Sequence, residues 1–183
     1  MEKKVFGYPK YDDNGEMILT TYENEYRDML MDIRVYKLEK NQTKIFISDD
    51  EEIAVLLLNG KIEINVDGIE KIVSRKSVFL EGPYAGHVSH SKIISAKALE
   101  ETEVLVQKTK NKVTFKSKLY TPGDAPWKYS SQGWYGNVAN RRVNTIIDHD
   151  IEPKSNMVLG EVLNDPGNWS GYLPHRHPQP ECY

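Results

Sequence analysis

Between Met31 and Val106 apolar side chains recur at every second position, and that period commits this part of the chain to sheet. Met31, Ile33 and Val35 alternate with Asp32 and Arg34, Ile45 and Ile47 repeat the spacing, and Ile62, Ile64 and Val66 enclose Glu63 and Asn65. A residue two places along a strand returns to the same face, whereas a helix would need apolar positions three and four apart. Two dipeptides punctuate the run. Asn59-Gly60 separates Ile53–Leu58 from Lys61–Val66, and Asp67-Gly68 precedes Ile69–Val73. Both accept the positive φ of tight turns, so an antiparallel hairpin is expected at each. Ser77–Leu80, Lys92–Ala98 and Glu103–Gln107 continue the pattern. About eight short strands within roughly eighty residues imply an all-β sandwich or barrel. Tyr22–Leu30 is the only segment that reads as a short helix.

Beyond this unit the character changes. Leu119–Asn140 interleaves Pro122, Gly123, Pro126, Gly133 and Gly136 with Trp127, Tyr129, Trp134 and Tyr135. It reads as an ordered connection whose aromatic rings pack on the barrels. A base-stacking platform would need interleaved basic residues, which are nearly absent there. From Arg141 a second strand-rich unit begins, with Val143–Ile147, then Asn156–Leu163, then Tyr172 leading into a pair of histidines. The expected organisation is a first unit over 1–118, a connection over 119–140 and a second unit over 141–183.

Composition narrows the function. The 183 residues are 39% hydrophobic, enough for a packed core, and 27 acidic against 24 basic residues give a net charge of −3. No basic footprint for nucleic acid or an anionic membrane is present, which favours a small-molecule partner. The N-terminal residues contain no apolar core of a signal peptide, and the longest apolar run is Ile53–Leu58, so a cytoplasmic protein is expected. The single cysteine, Cys182, cannot form an internal disulfide. No base is arranged beside it, so it reads as a packing residue and not a nucleophile.

His175-Arg176-His177-Pro178-Gln179-Pro180-Glu181 carries the chemistry. Two histidines at i and i+2 of a strand project to one face, and the prolines bend the chain so that Glu181 reaches the same point. Two imidazoles and a carboxylate are a metal-ligand set with coordination positions left open. The alternative reading is an exposed histidine-rich segment that binds nothing. His87 and His90 invite the same question, but their spacing suits opposite faces of a strand.

The segment Gly167-Asn168-Trp169-Ser170-Gly171-Tyr172-Leu173-Pro174 running into His175 and on to Glu181 resembles the metal-binding signature of the 5-deoxyglucuronate isomerase family of myo-inositol catabolism. Those proteins are tandem cupins related to the 5-keto-4-deoxyuronate isomerases. Asn140-Arg141-Arg142-Val143, followed by Ile146, is similar to the segment that opens the second cupin, and the stretches around Asn59-Gly60 and Asp67-Gly68 resemble the first.

The resemblance implies a bicupin of β-barrels: a first barrel over 1–118 without metal ligands, and the first part of a metal-binding cupin over 141–183, its barrel incomplete. It implies a metal-dependent aldose–ketose isomerase converting 5-deoxy-D-glucuronate to 5-dehydro-2-deoxy-D-gluconate. His175, His177 and Glu181 would hold Zn, Mn or Fe, and Arg141 would fork onto the substrate carboxylate. The alternative, that Arg141 saturates carbonyls at the barrel end or forms a surface pair, outweighs that role on the residues alone. No general base can be named. Two departures stand out: the further histidine of a later cupin strand is absent, and the Pro-Gln-Pro spacing differs from the commoner pattern. The chain by itself is therefore expected to form homo-oligomers, to bind metal weakly and to isomerise poorly. The alternatives are a non-catalytic cupin that binds sugars or regulates, and oxygenase chemistry at a facial triad.

Overall fold

The structure, a computed structural model, describes residues 8–171, and its regular elements are almost entirely strands. The first part contains β1 (Glu16–Thr20), β2 (Met31–Leu38), β3 (Thr43–Phe46), β4 (Glu51–Val66), β5 (Ile69–Arg75), β6 (Ala85–Val88), β7 (Ile94–Ala98), β8 (Thr102–Lys110) and β9 (Lys118–Tyr120). They form two antiparallel sheets that share β4, one ordered β1-β2-β8-β4-β6-β9 and the other β3-β7-β4-β5. Between them Ile53, Val55, Leu57, Ile62, Ile64, Val66, Ile94, Val104 and Val106 make a closed aliphatic interior. This is the all-β, cupin-type barrel expected, with a largely apolar filling.

The two turn dipeptides have different fates. At Asp67 and Gly68, with φ of 50° and 92°, β4 turns directly into β5 and Val66 faces Ile69 across the ladder. Asn59-Gly60 is not a hairpin. β4 runs through it as one strand of 16 residues, with a register shift against β8 between Leu57 and Asn59. Gly60 has φ +99°, and a Cβ there would lie 2.3 Å from Thr102 Oγ1 and 2.6 Å from the Glu101 carbonyl. Its freedom is used to bend a strand from one sheet into the other, as β-bulges at barrel corners do.

Two further expectations are corrected. Ser77–Leu80 is a turn and not a strand, because the Ser77 carbonyl accepts the Leu80 and Glu81 N–H groups at 3.2 and 3.1 Å. Within Tyr22–Leu30 the helical content is a single 3₁₀ turn, Arg27–Met29, stopped by Leu30 at φ 57°.

The second part contributes β10 (Lys128–Ser130), β11 (Arg141–Ile147) and β12 (Leu159–Asn164), an antiparallel sheet with β11 in the middle. A bulge between Thr145 and Ile147 lets both Ile146 and Ile147 turn inward. There they join Met157 and Leu159 against Ala54, Leu56, Ala85 and Tyr120 on the barrel's outer face. Alternation along β4 explains this second core, since Glu52, Ala54 and Leu56 point away from the face that carries Ile53, Val55 and Leu57. The connecting aromatics divide. Trp127 lies under Arg142, 5.4 Å from guanidinium carbon to ring centre, but Tyr129, Trp134 and Tyr135 remain 62%, 52% and 52% exposed and do not cover a barrel as expected.

Candidate functional site

Arg141 opens β11, and the sheet's alternation decides where it faces. Arg142 donates to the Phe79 carbonyl at 3.3 Å, and Asn144 donates to Glu161, which is bonded to Arg75 of the barrel. Those side chains point toward the barrel, so Arg141, Val143 and Thr145 belong to the opposite face, across from Asn164, Val162 and Gly160 of β12.

A run of three carbonyls fixes the approach to Arg141. Val138 accepts the Trp169 N–H at 2.7 Å, Ala139 accepts Arg141 Nη1 at 3.4 Å, and Asn140 accepts Asn168 Nδ2 at 3.0 Å. The loop that precedes the histidine motif is thereby pinned beside the arginine. The Trp169 ring meets Tyr135 with centroids 5.5 Å apart and planes inclined by 40°. Among the described residues Arg141 has no carboxylate partner, so its only polar contact is one long bond to a carbonyl. That bond is the carbonyl-saturating role weighed above, and it occupies one of the five N–H donors of a guanidinium.

Two carboxylates, Glu52 fully buried and Glu161 partly so, fasten this sheet to the barrel. Arg75 is fully buried, and its guanidinium holds Glu161 at 2.7 Å through both Nη1 and Nη2 while also donating to the Leu57 and Glu81 carbonyls at 3.0 and 2.8 Å. Glu52, also fully buried, accepts the Asn156 N–H at 2.6 Å, the Ser155 hydroxyl at 2.9 Å and His87 Nε2 at 3.1 Å. His87 packs against Phe115, with ring centres 4.6 Å apart. His87 is thus a buried partner of Glu52 and belongs to no metal-holding group among the described residues. His90 lies at the surface between Ser91 and Thr114.

The metal constellation of His175, His177 and Glu181, like Cys182, lies outside the described residues. Among the described residues no group of three or more His, Cys, Asp or Glu side chains is placed to hold a metal ion. A surface groove of about 610 Å³ lies between Leu58–Gly60, Arg75–Phe79 and Glu100–Glu103. Its lining sets Glu100, Glu101 and Glu103 against Lys76 and an Arg75 already bonded to Glu161, so the balance of charge disfavours an anionic sugar there. No described helix is long and apolar enough to cross a membrane.

Residues 7–182 match the family model described as KduI/IolB. The chain belongs to the KduI/IolB family. It is 30% identical over 173 residues to the 5-deoxy-glucuronate isomerase of Geobacillus kaustophilus, covering 91% of this chain and 59% of that protein. The 5-deoxy-glucuronate isomerase of Geobacillus thermodenitrificans is 29% identical over 98% of this chain and 64% of its own length. The chain therefore spans about three-fifths of the length of these relatives. Among solved structures, an IolB-like protein of Salmonella typhimurium superimposes with a TM-score of 0.63 at 16% identity, over 75% of this chain and 52% of that one. At that identity the likeness establishes the KduI/IolB fold and nothing finer.

Sequence reasoning singled out Arg141 but missed Arg75, Glu161, Glu52 and the carbonyl run at 138–140. No spacing rule links Glu52 to Asn156 or Arg75 to Glu161, because each pair joins distant parts of the chain. The one available signal was Glu52 itself, a charge opening the apolar run Ile53–Leu58.

Proposed function

We propose that this chain serves a metal-dependent aldose–ketose isomerase that converts 5-deoxy-D-glucuronate to 5-dehydro-2-deoxy-D-gluconate. The observation that carries the reading is the family match across residues 7–182, which includes both Arg141 and the histidine motif. His175, His177 and Glu181 would hold the ion. Bound there, a divalent cation supplies Lewis-acid polarisation of the sugar's carbonyl and neighbouring hydroxyl oxygens. Arg141 supplies a positive fork for the substrate carboxylate and so orients the sugar chain. Within this reading the protein is a cytoplasmic homo-oligomer acting on a small sugar acid in inositol breakdown, with no nucleic-acid or membrane partner.

The test incubates the purified chain with 5-deoxy-D-glucuronate and Zn, Mn or Fe(II), following ketose formation by proton NMR. Turnover that is lost on chelation and in His175→Ala, and reduced with a raised KM in Arg141→Met, is the expected result. Absence of ketose at saturating metal, with the sugar acid still bound, would support instead a non-catalytic sugar-binding module.

A further inference from the structure

We infer that Trp169, buttressed by Tyr135, is a stacking surface for the ring face of a sugar acid whose carboxylate is held by Arg141. The inference rests on the reading of Arg141 given above and extends it to a residue with no assigned role. Trp169 is 43% exposed and Tyr135 is 52% exposed, although the two rings touch. Large aromatic surface left open to water and held rigid by a neighbour is a common signature of a binding surface.

Its position is set by the chain and not by chance contact. The Trp169 N–H is bonded to Val138 O at 2.7 Å, one residue before the carbonyl that holds Arg141. Asn168 repeats the tie at the next carbonyl, Asn140. The backbone of Trp169 and a guanidinium without a carboxylate partner among the described residues are thus anchored on adjacent peptide units. Sugar acids offer both matching chemistries, a C–H face that packs on an aromatic ring and a carboxylate that accepts a guanidinium fork. A neutral sugar would satisfy only the first, and a simple carboxylate only the second.

D-glucuronate is the probe, titrated by calorimetry and saturation-transfer NMR into the full chain in the presence of a chelator, with D-glucose and acetate as controls. Saturable binding of D-glucuronate that exceeds both controls is expected, with saturation transferred to the sugar C–H protons. Trp169→Ala should weaken it roughly tenfold, about the loss of one ring's worth of apolar contact, and Trp169→Phe should retain most of it. Arg141→Met should abolish the preference over D-glucose. Circular dichroism and urea midpoints of each variant separate loss of binding from loss of fold. Binding by Trp169→Ala equal to that of the parent, or no binding by the parent, overturns the inference. Because these measurements exclude metal and turnover, failed isomerisation with Trp169-dependent binding counts against the isomerase reading alone. Turnover whose KM is unmoved by Trp169→Ala counts against the stacking surface alone.

Discussion

Arg75 and Glu161 meet through a two-pronged bond, Nη1 to Oε1 and Nη2 to Oε2 at 2.7 Å each, that ties the end of β5 in the barrel to β12 of the second sheet. Asn144 completes the arrangement by accepting the Glu161 N–H at 3.0 Å while donating to the Glu161 carboxylate at 3.3 Å. Removing either charge strands the other. Arg75→Met would leave Glu161 with one amide donor, and Glu161→Leu would leave a guanidinium with no exposure and only carbonyls to neutralise it. Each single change should cost about 3–5 kcal/mol, read as a shifted urea midpoint. The double variant Arg75→Met/Glu161→Leu should recover much of that loss, since a packed apolar pair avoids the desolvation of both charges. Additive losses in the double variant would show that the two residues act independently.

The second tie is local to the loop before β12. Glu52 Oε1 takes the Asn156 N–H at 2.6 Å, and Oε2 takes both the Ser155 hydroxyl and His87 Nε2. In Glu52→Gln one carboxylate oxygen becomes an NH₂ group that must face donors. The expected cost is about 1.5–3 kcal/mol, the range for hydrogen bonds to a charged group. Hydrogen exchange should show the Asn156 amide losing protection while the β4–β8 ladder around the Val55–Val106 pair keeps most of its own. Uniform loss across the barrel would mean that the contact supports the whole fold and not this loop.

How much of this was legible in the sequence depends on how local the cause is. The Asp67-Gly68 turn was readable because both residues sit at positive φ in a two-residue loop, and nothing beyond the loop decides it. Asn59-Gly60 carries the same signal and is misread for a physical reason. What fills the space beside Gly60 is Thr102, a residue of β8, so the choice between turn and bend is made by the third strand. β6 was missed because Ala-Gly-His-Val has no alternation of its own and takes its shape from pairing with Ile53–Leu56. Arg141 was visible by residue type, yet the carbonyls that hold it and Trp169 are backbone groups with no residue signature. The metal-site reading of His175, His177 and Glu181 could be proposed from sequence because three candidate ligands, two imidazoles and one carboxylate, fall within seven residues.

Gly60 makes the argument about the bend testable. Its φ of +99° and the contact of 2.3 Å that a Cβ would make with Thr102 Oγ1 act together, and the carbonyl of Glu101 closes the other side at 2.6 Å. Gly60→Ala should therefore destabilise the chain by about 1–3 kcal/mol or more, with the strain concentrated where β4 changes sheets. Gly171 is the control. It has open space around the position of a Cβ, so Gly171→Ala should stay within about 0.5 kcal/mol of the parent. A hairpin at Asn59-Gly60 would give a different result, because alanine there would face no β8 side chain and the loss would be only that of the turn.

Tyr120 predicts the alkaline limit of the same architecture. It lies in the core between barrel and second sheet, 2% exposed, and burial first, then the carboxylates of Glu152, Asp124 and Asp148, push its phenol up to about 12 from an ordinary value of 10.0. A phenol with a raised folded-state pKa favours the folded protein as long as it stays neutral. Its contribution is complete below pH 10.0, where the unfolded phenol is also neutral, and it is lost as pH climbs from there through about 12. Thermal midpoints should thus fall steeply across that interval, and Tyr120→Phe should flatten part of the fall because phenylalanine has no proton to lose. Phenolate absorbance should show Tyr120 ionising together with loss of the barrel-to-sheet packing and not before it. Ionisation of Tyr120 near pH 10 in an otherwise folded chain would mean that water reaches this core, and that the second sheet is not seated on the barrel as described.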